Sequence, residues 1–309
     1  MRSFKNSDEA LRFLESIPWG NAAGTCRRAE IALDFAEIKI PAVMFGSITK
    51  EERMGNMGGN FSYNPETGNS KNNDGLTNGG IKKYMDILPG LRQRINKEGS
   101  KLWVSISVGE NYIPDEYKEM GQTLVISNAA DVMEGNFSCP NVLVGGKRKI
   151  PICFSLDDFR KGVRALREGA SGIPIAAKIS PIIDECFLGR LTDICIKENV
   201  NYIVCSNTKN SRSGGLGGQI LKPLVSRMIQ IISPLTRGTN TKIIAVGGIE
   251  KAIDAYNYLY WGGGEVVGFQ FNTAFTRRNE DPGFIGGLII GKDDEPGLVD
   301  LLVDRGLPW

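Results

Sequence analysis

Two amides, a hydroxyl and a thiol fall within six residues in Asn136-Phe137-Ser138-Cys139-Pro140-Asn141, directly after the apolar run Ala130-Asp131-Val132-Met133. The run reads as a strand, and the proline stiffens the segment leaving it. A packed core has no use for so many polar groups at a strand end, because each would need a hydrogen-bond partner. A pocket for a flat, polar ring uses them all. Cys139 adds reactivity: a free thiol titrates near ~8.5, so a minority is thiolate at neutral pH and can accept a proton. The chain has no histidine. That excludes Ser-His-Asp and Cys-His catalysis and every histidine metal motif. Acid–base work falls to Cys, Lys, Tyr, Asp, Glu or the substrate, and a cofactor is the natural source of the difficult step.

The elements that must position these groups alternate. Short apolar, β-branched runs are expected as strands near Ala42–Ser47, Leu102–Val108, Val132–Phe137, Ile175–Ile179, Tyr202–Ser206, Lys242–Val246 and Val266–Phe271, with a weaker first one near Trp19–Gly24. Runs this apolar suit strands covered on both faces. Amphipathic helices are expected near Arg28–Ala36, Ile81–Ile95, Asp115–Met120, Glu185–Lys197, Pro223–Ile232 and Ala252–Tyr260. Another opens at Ser155 with an acidic first turn and closes at Gly169, and Ser7-Asp8-Glu9 caps a helix ahead of the rest. Eight strands alternating with helices predict a (β/α)₈ TIM barrel with an N-terminal helix and long loops at its C-terminal face. The rival is a doubly wound open sheet. Against it, no G-x-G-x-x-G follows the first strand, and Gly55, Gly58 and Gly59 lie after the second but open no helix.

In a barrel, catalytic groups gather where strands end. Those ends supply Asn21-Ala22-Ala23-Gly24, then Gly46-Ser47 with a Gly/Asn-rich excursion to Asn78, then the Asn136–Asn141 stretch, Lys178 and Ser206-Asn207-Thr208. A loop Ser213–Gly218 comes next, then Gly247-Gly248 and Asn272-Thr273. The last two ends, with glycines and a threonine just before helices, suit a phosphate. The others form an amide-rich cup with one lysine and one thiol, suited to a flavin edge or a pyrimidine ring.

With 309 residues, 41% hydrophobic and 23% charged, the chain has an ordinary globular composition, expected here as one domain over 1–309. A net charge of +2 gives no electrostatic case for nucleic acid or an acidic membrane. No apolar run approaches the ~18 residues of a membrane span. Met1-Arg2-Ser3-Phe4-Lys5-Asn6 leads into a polar helix rather than a signal-peptide core, so a cytoplasmic protein is expected. None of the six cysteines forms a C-x-x-C pair. Buried thiols account for most of them better than zinc, disulfides or an iron–sulfur cluster, so no metal site is expected.

The order Asn-Ala-Ala-Gly, Asn-x-x-Gly-Leu at Asn72–Leu76, Asn-Phe-Ser-Cys-Pro-Asn, Lys178, Ser-Asn-Thr, Gly-Gly-Leu-Gly-Gly and Val-Gly-Gly-Ile resembles the dihydroorotate dehydrogenases over residues 18 to 275, and more narrowly their soluble, cysteine-based class. The Asn-x-Ser-Cys-Pro-Asn element is the specific part. The resemblance implies an FMN barrel of pyrimidine biosynthesis that oxidises dihydroorotate. It gives Cys139 the removal of the C5 proton while hydride leaves C6 for flavin N5. Lys178 would stand by the flavin N1–O2 edge, stabilising the reduced anion. By the same resemblance Asn72, Gly75, Leu76, Asn136, Asn141, Asn207 and Thr208 contact the substrate. Ala22, Ala23, Gly24, Ser47, Asn136, Lys178, Ser206, Gly218, Gly247, Gly248, Asn272 and Thr273 border the FMN. A homodimer is also implied.

The pattern departs in three places. The family carries a lysine where Gly46 stands here, unless Lys50 replaces it. Asp74 occupies an apolar position in the loop whose amides hold the orotate carboxylate, and would repel that anion unless it points outward. The segment Asn207–Gly218 is short where the soluble dehydrogenases have a longer hairpin. The basic Lys147-Arg148-Lys149 is expected as a solvated turn, or as a recruiter of anions. A paralogue acting on another dihydropyrimidine or cyclic amide is therefore an alternative. A barrel that binds flavin or a metabolite without turnover is a second one, disfavoured by the presence of both Cys139 and Lys178.

Overall fold

The computed structural model describes residues 1–58, 61–278, 281, 283–292 and 294–309; Gly59 lies outside the described residues. Eight parallel strands close a barrel. They are β1 (Gly20–Asn21), β2 (Ala42–Ile48), β3 (Lys101–Ile106), β4 (Val132–Asn136), β5 (Ile175–Ile179), β6 (Tyr202–Cys205), β7 (Lys242–Val246) and β8 (Val266–Phe271). Each pairs with its neighbours in sequence, and β1 pairs with β8 to complete the ring. The expected barrel is therefore the observed one.

Strand alternation divides the apolar residues into two layers. Val43, Phe45, Leu102, Val104, Met133, Ala177, Ile203 and Ile243 belong to the large core packed with the helices. Met44, Trp103, Val132, Ala176, Val204 and Ile244 form a separate cluster that plugs the barrel. Two residues further along the strands the same face turns polar: Trp103 gives way to Ser105, Val132 to Glu134 and Asn136, and Ala176 to Lys178. All four polar residues are buried. The plug is thus the floor beneath a polar chamber at the strands' C-terminal ends.

Several local expectations change. The first helix, Ser7–Ser16, is capped by Asn6, whose side chain accepts from the Glu9 amide at 3.0 Å, rather than by Ser7-Asp8-Glu9. The expected Ile81–Ile95 helix is two, Gly80–Tyr84 and Leu88–Lys97, the second carrying a proline in its first turn. The helix from Asp115 runs on to Ile126. The Gly/Asn-rich excursion and the Ser213–Gly218 loop are not irregular: Phe61–Asn64, Asn69–Asn72, Gly214–Gly218 and Lys209–Ser211 form a four-stranded antiparallel sheet beside the barrel mouth. Its register sets Gly215 opposite Asn72 and Gly218 opposite Asn69, which links the loop after β2 to the loop after β6. Among the described residues no helix is long and apolar enough to cross a membrane.

Candidate active site

The chamber is wired by short side chains. Ser105 Oγ donates to Glu134 Oε1 at 2.8 Å and lies 2.8 Å from Ser47 Oγ. Asn136 Nδ2 donates to Ser47 Oγ at 2.9 Å, and Asn136 Oδ1 accepts from Ser138 Oγ at 3.0 Å and Asn207 Nδ2 at 3.3 Å. Asn207 Nδ2 also donates to Ser138 Oγ at 2.9 Å, and its Oδ1 accepts from the Thr208 amide at 2.7 Å. Asn141 Nδ2 donates to Asn72 Oδ1. The four asparagines expected from the sequence thus form two bonded pairs, one from the ends of β4 and β6, the other from the mouth sheet and the loop after β4. Ser138, the hydroxyl of the Asn136–Asn141 stretch, and Ser105, which sequence reasoning passed over, tie these groups together.

Lys178 is only 3% exposed, and among the described residues its ammonium makes no hydrogen bond or ion pair. Glu134 is fully buried, its Oε2 has no hydrogen-bond partner among the described residues, and burial holds its carboxyl above the ordinary range. The charge of Lys178 and the Ser105 hydroxyl pull it back down. A buried ammonium without a hydrogen-bond acceptor is costly. It faces the space above the floor, where an anionic or electron-rich ring edge would satisfy it.

That space has two connected parts. A cleft is lined by Ala22, Ser206, Gly217, Gly218, Gly247, Gly248 and Thr273 among others. A second cavity is lined by Gly24, Ser47, Gly75, Leu76, Asn136, Cys139 and Asn141 among others. Ala23, Asn72, Lys178, Asn207, Thr208 and Asn272 line both. Every residue that the resemblance gave to substrate or FMN therefore borders one part or the other.

The cleft is a glycine cradle. Gly218 sits at φ +81°, and a Cβ there would lie 2.2 Å from the Gly68 carbonyl oxygen. Ser70 Oγ and Thr273 Oγ1 are 2.7 Å apart across the same wall. Thr273 opens the short helix Thr273–Thr276, whose Phe275 and Thr276 amides donate to the Asn272 carbonyl, while those of Thr273 and Ala274 donate to no acceptor among the described residues. Gly247-Gly248 stands further from a helix than expected, since the next one begins at Ala252. At the cleft's far end Glu250 is ion-paired to Arg277 and hydrogen-bonded by Gln219 Nε2 at 2.9 Å, so its negative charge is compensated.

In the second cavity, Cys139 presents a thiol that is partly accessible. Its crowded surroundings hold it above the ordinary thiol value. The backbone N–H of Asn141, the charge of Arg53 and the Val142 amide act in the opposite direction, and Asp74 reinforces the rise. Asp74 itself does not stand as a lone repelling charge: Arg27 Nη2 donates to its Oδ2 at 2.7 Å. Lys50 does not replace the cation absent at Gly46, since its ammonium pairs with Glu119 at 2.6 Å. Gly46 cannot carry a side chain as it stands: φ is +101° and a Cβ would lie 2.6 Å from the Ser105 carbonyl oxygen.

The basic Lys147–Lys149 stretch is not simply a solvated turn. Leu143–Val144 and Lys147–Arg148 pair as a hairpin. It turns Arg148 back onto Asn141 Oδ1 at 3.1 Å, Asn73 Oδ1 at 2.9 Å and the Pro140 carbonyl at 3.2 Å. Asn56 Nδ2 braces the same loops through the Asn141 carbonyl at 2.8 Å and the Asn73 carbonyl at 3.0 Å. Sequence reasoning missed Arg27, Asn56 and the bracing role of Arg148, because each acts from a loop whose path no local pattern announces. The remaining thiols are apart from this chemistry: Cys153, Cys195 and Cys205 are buried free thiols, and Cys186 is exposed.

Residues 11–279 match the family model described as dihydroorotate dehydrogenase. A dihydroorotate dehydrogenase (quinone) from Clavibacter sepedonicus is 26% identical over 285 residues, covering 87% of this chain and 79% of that protein. The catalytic subunit of dihydroorotate dehydrogenase B (NAD(+)) from Geobacillus sp. (strain WCH70) is 28% identical over 248 residues, covering 74% of this chain and 72% of that one. In fold, the crystal structure of DHODH in complex with ferulenol from Eimeria tenella superposes with a TM-score of 0.78 at 21% identity, over 94% of this chain and 82% of that one. The matched span runs through all eight barrel strands and both parts of the chamber. The chain belongs to the dihydroorotate dehydrogenase family.

Proposed function

We propose that this protein is an FMN-dependent oxidoreductase that converts dihydroorotate to orotate, with Cys139 as the base. The observation that carries the proposal is the chamber itself. A thiol in one part and a glycine-lined cradle in the other share walls that include the buried Lys178, whose ammonium has no hydrogen-bond acceptor among the described residues.

The residues fit FMN on their own chemistry. Gly217, Gly218 and Gly248 bare the backbone where side chains would fill the cleft, and the Thr273 and Ala274 amides suit a phosphate. Lys178 would meet the electron-rich edge of the ring system, and Asn136 and Ser206 would border it. When bound, FMN supplies the two-electron acceptor for hydride.

The protein's own part is proton removal and orientation. The Cys139 thiolate takes a proton from C5 and becomes the thiol. The C5–H electron pair forms the C5=C6 double bond as hydride leaves C6. The amides of Asn72, Asn136, Asn141 and Asn207 match the alternating donors and acceptors of a dihydropyrimidine ring, and Thr208 closes the same wall. Their mutual bonds hold them in place before substrate arrives, so little ordering remains to be done on binding. A homodimer is part of the same proposal, tested by sedimentation.

A second reading, another cyclic amide without a carboxylate, is favoured by Gly46, which leaves out a cation beside the chamber. Steady-state assays of the FMN-loaded enzyme with dihydroorotate and with dihydrouracil, using a dye acceptor, separate the two. Turnover of dihydroorotate in the ordinary enzyme range supports the proposal. Preference for dihydrouracil favours the second reading, and bound FMN without turnover of either overturns both.

A further inference from the structure

We propose that Arg27 receives the substrate's carboxylate and that Asp74 positions its guanidinium while restraining its affinity for anions, a refinement that rests on the dihydroorotate reading above. Among the described residues, the cations lining the Cys139 cavity are Arg27 and Lys178. Lys178 is buried on the floor shared with the cleft. Arg27 stands at the outer wall, with about a third of its side chain exposed, as is Asp74's. Dihydroorotate carries its carboxylate on C6, one bond from the C5 whose proton goes to Cys139. The anion must therefore lie within a ring's width of that thiol, in the cavity that Arg27 lines.

The other cations nearby are already engaged: Arg53 Nε donates to the Gly75 carbonyl at 3.2 Å and its Nη1 lies 3.5 Å from Glu110, and Arg148 is held by Asn141 and Asn73. A side chain at Gly46 would strike the Ser105 carbonyl, and Lys50 is held by Glu119. Arg27 has capacity to spare: a guanidinium offers five N–H donors in a fork, and one bond, Nη2 to Asp74 Oδ2 at 2.7 Å, is accounted for. Gly75 and Leu76 are consecutive left-handed residues at φ +71° and +63° on the same wall. Among the described residues their amides donate to no protein acceptor. A carboxylate between this turn and Arg27 would find backbone and guanidinium donors together. The ion pair with Asp74 fixes the direction of the fork. It also competes for the fork, so Asp74 and the substrate carboxylate share one guanidinium.

That competition gives the test an unusual sign. On the FMN-loaded enzyme, steady-state turnover of dihydroorotate and calorimetric binding of orotate are measured for wild type, Arg27→Gln, Arg27→Lys and Asp74→Asn. Losing a charged hydrogen bond should raise KM and the orotate Kd in Arg27→Gln by roughly ten- to a hundredfold, with a much smaller change in kcat. Arg27→Lys should recover part of the loss. Asp74→Asn should tighten orotate by about two- to fivefold, the scale of a half-exposed ion pair released. Opposite signs from the two halves of one salt bridge support the inference, since a purely structural pair would weaken binding from either side. If both variants weaken orotate alike, or neither changes it, while wild type turns over dihydroorotate, the inference alone is overturned. A wild type that neither oxidises dihydroorotate nor binds orotate overturns the functional reading and this one together.

Discussion

Replacing Lys178 by methionine keeps its length and removes the charge that steadies Glu134. In the wild type, burial raises the Glu134 carboxyl above its ordinary value of 4.5, while Lys178 and the Ser105 hydroxyl oppose the rise. The sign of the consequence comes from linkage. Between the unfolded value and the raised folded value, the native state holds a proton that the unfolded chain has released, so stability falls as pH rises through that window. The slope for one group approaches about 1.4 kcal/mol per pH unit. Without Lys178 the window extends upward, and the loss continues to higher pH. Above the wild-type window the variant should therefore go on losing stability with rising pH where the wild type has levelled off. Denaturant titrations of flavin-free protein at several pH values, followed by tryptophan fluorescence, read this directly, since Trp103 lies in the plug beneath the chamber. Adding Glu134→Gln should abolish the extra slope. Parallel stability–pH curves for wild type and Lys178→Met would refute the reasoning.

Cys139→Ala should leave FMN bound and slow flavin reduction by about a hundredfold or more, the usual contribution of a general base; an unchanged rate in stopped-flow removes the thiol from the reaction. Because the thiol is held above 9.0, wild-type reduction should rise with pH across the neutral range, by up to about tenfold per unit, and a flat profile would count against a thiolate base. Gly218→Ala and Gly46→Lys each force a side chain onto a left-handed residue against a carbonyl oxygen and should cost about 1–3 kcal/mol in denaturation midpoint measurements; an undiminished stability would contradict the cradle geometry. Arg148→Ala should release Asn141 and Asn73 and raise the KM for dihydroorotate several-fold, whereas an unchanged KM would show that the hairpin braces nothing.

The barrel was legible because its strands are buried on both faces and its helices on one, so the runs Ile175–Ile179 and Lys242–Val246 carry their secondary structure in composition alone. Chain order then fixed which ends lie together, and the asparagines, Cys139 and Lys178 emerged from that. The sheet beside the mouth escaped. It is built from Phe61–Asn64, Asn69–Asn72 and Gly214–Gly218; the last two are Gly-, Asn- and Ser-rich with no period-two hydrophobic signal, and the alternation in Phe61–Asn64 is only four residues long. The two halves of its central pairing lie more than a hundred residues apart. The Arg27–Asp74 pair was hidden for the same reason: Asp74 viewed alone is a repelling charge, and its sign in context depends on a residue from another strand's end. Gly46 shows the reverse, where a missing cation reads as a loss in sequence but is a backbone requirement in space.

The most direct test of the whole account is anaerobic mixing of the FMN-loaded protein with dihydroorotate while flavin absorbance is followed. The account predicts rapid bleaching with release of orotate in wild type, and a flavin that stays yellow on the same timescale in Cys139→Ala. A wild-type flavin that remains oxidised, or one that bleaches equally fast without the sulfur of residue 139, would contradict it.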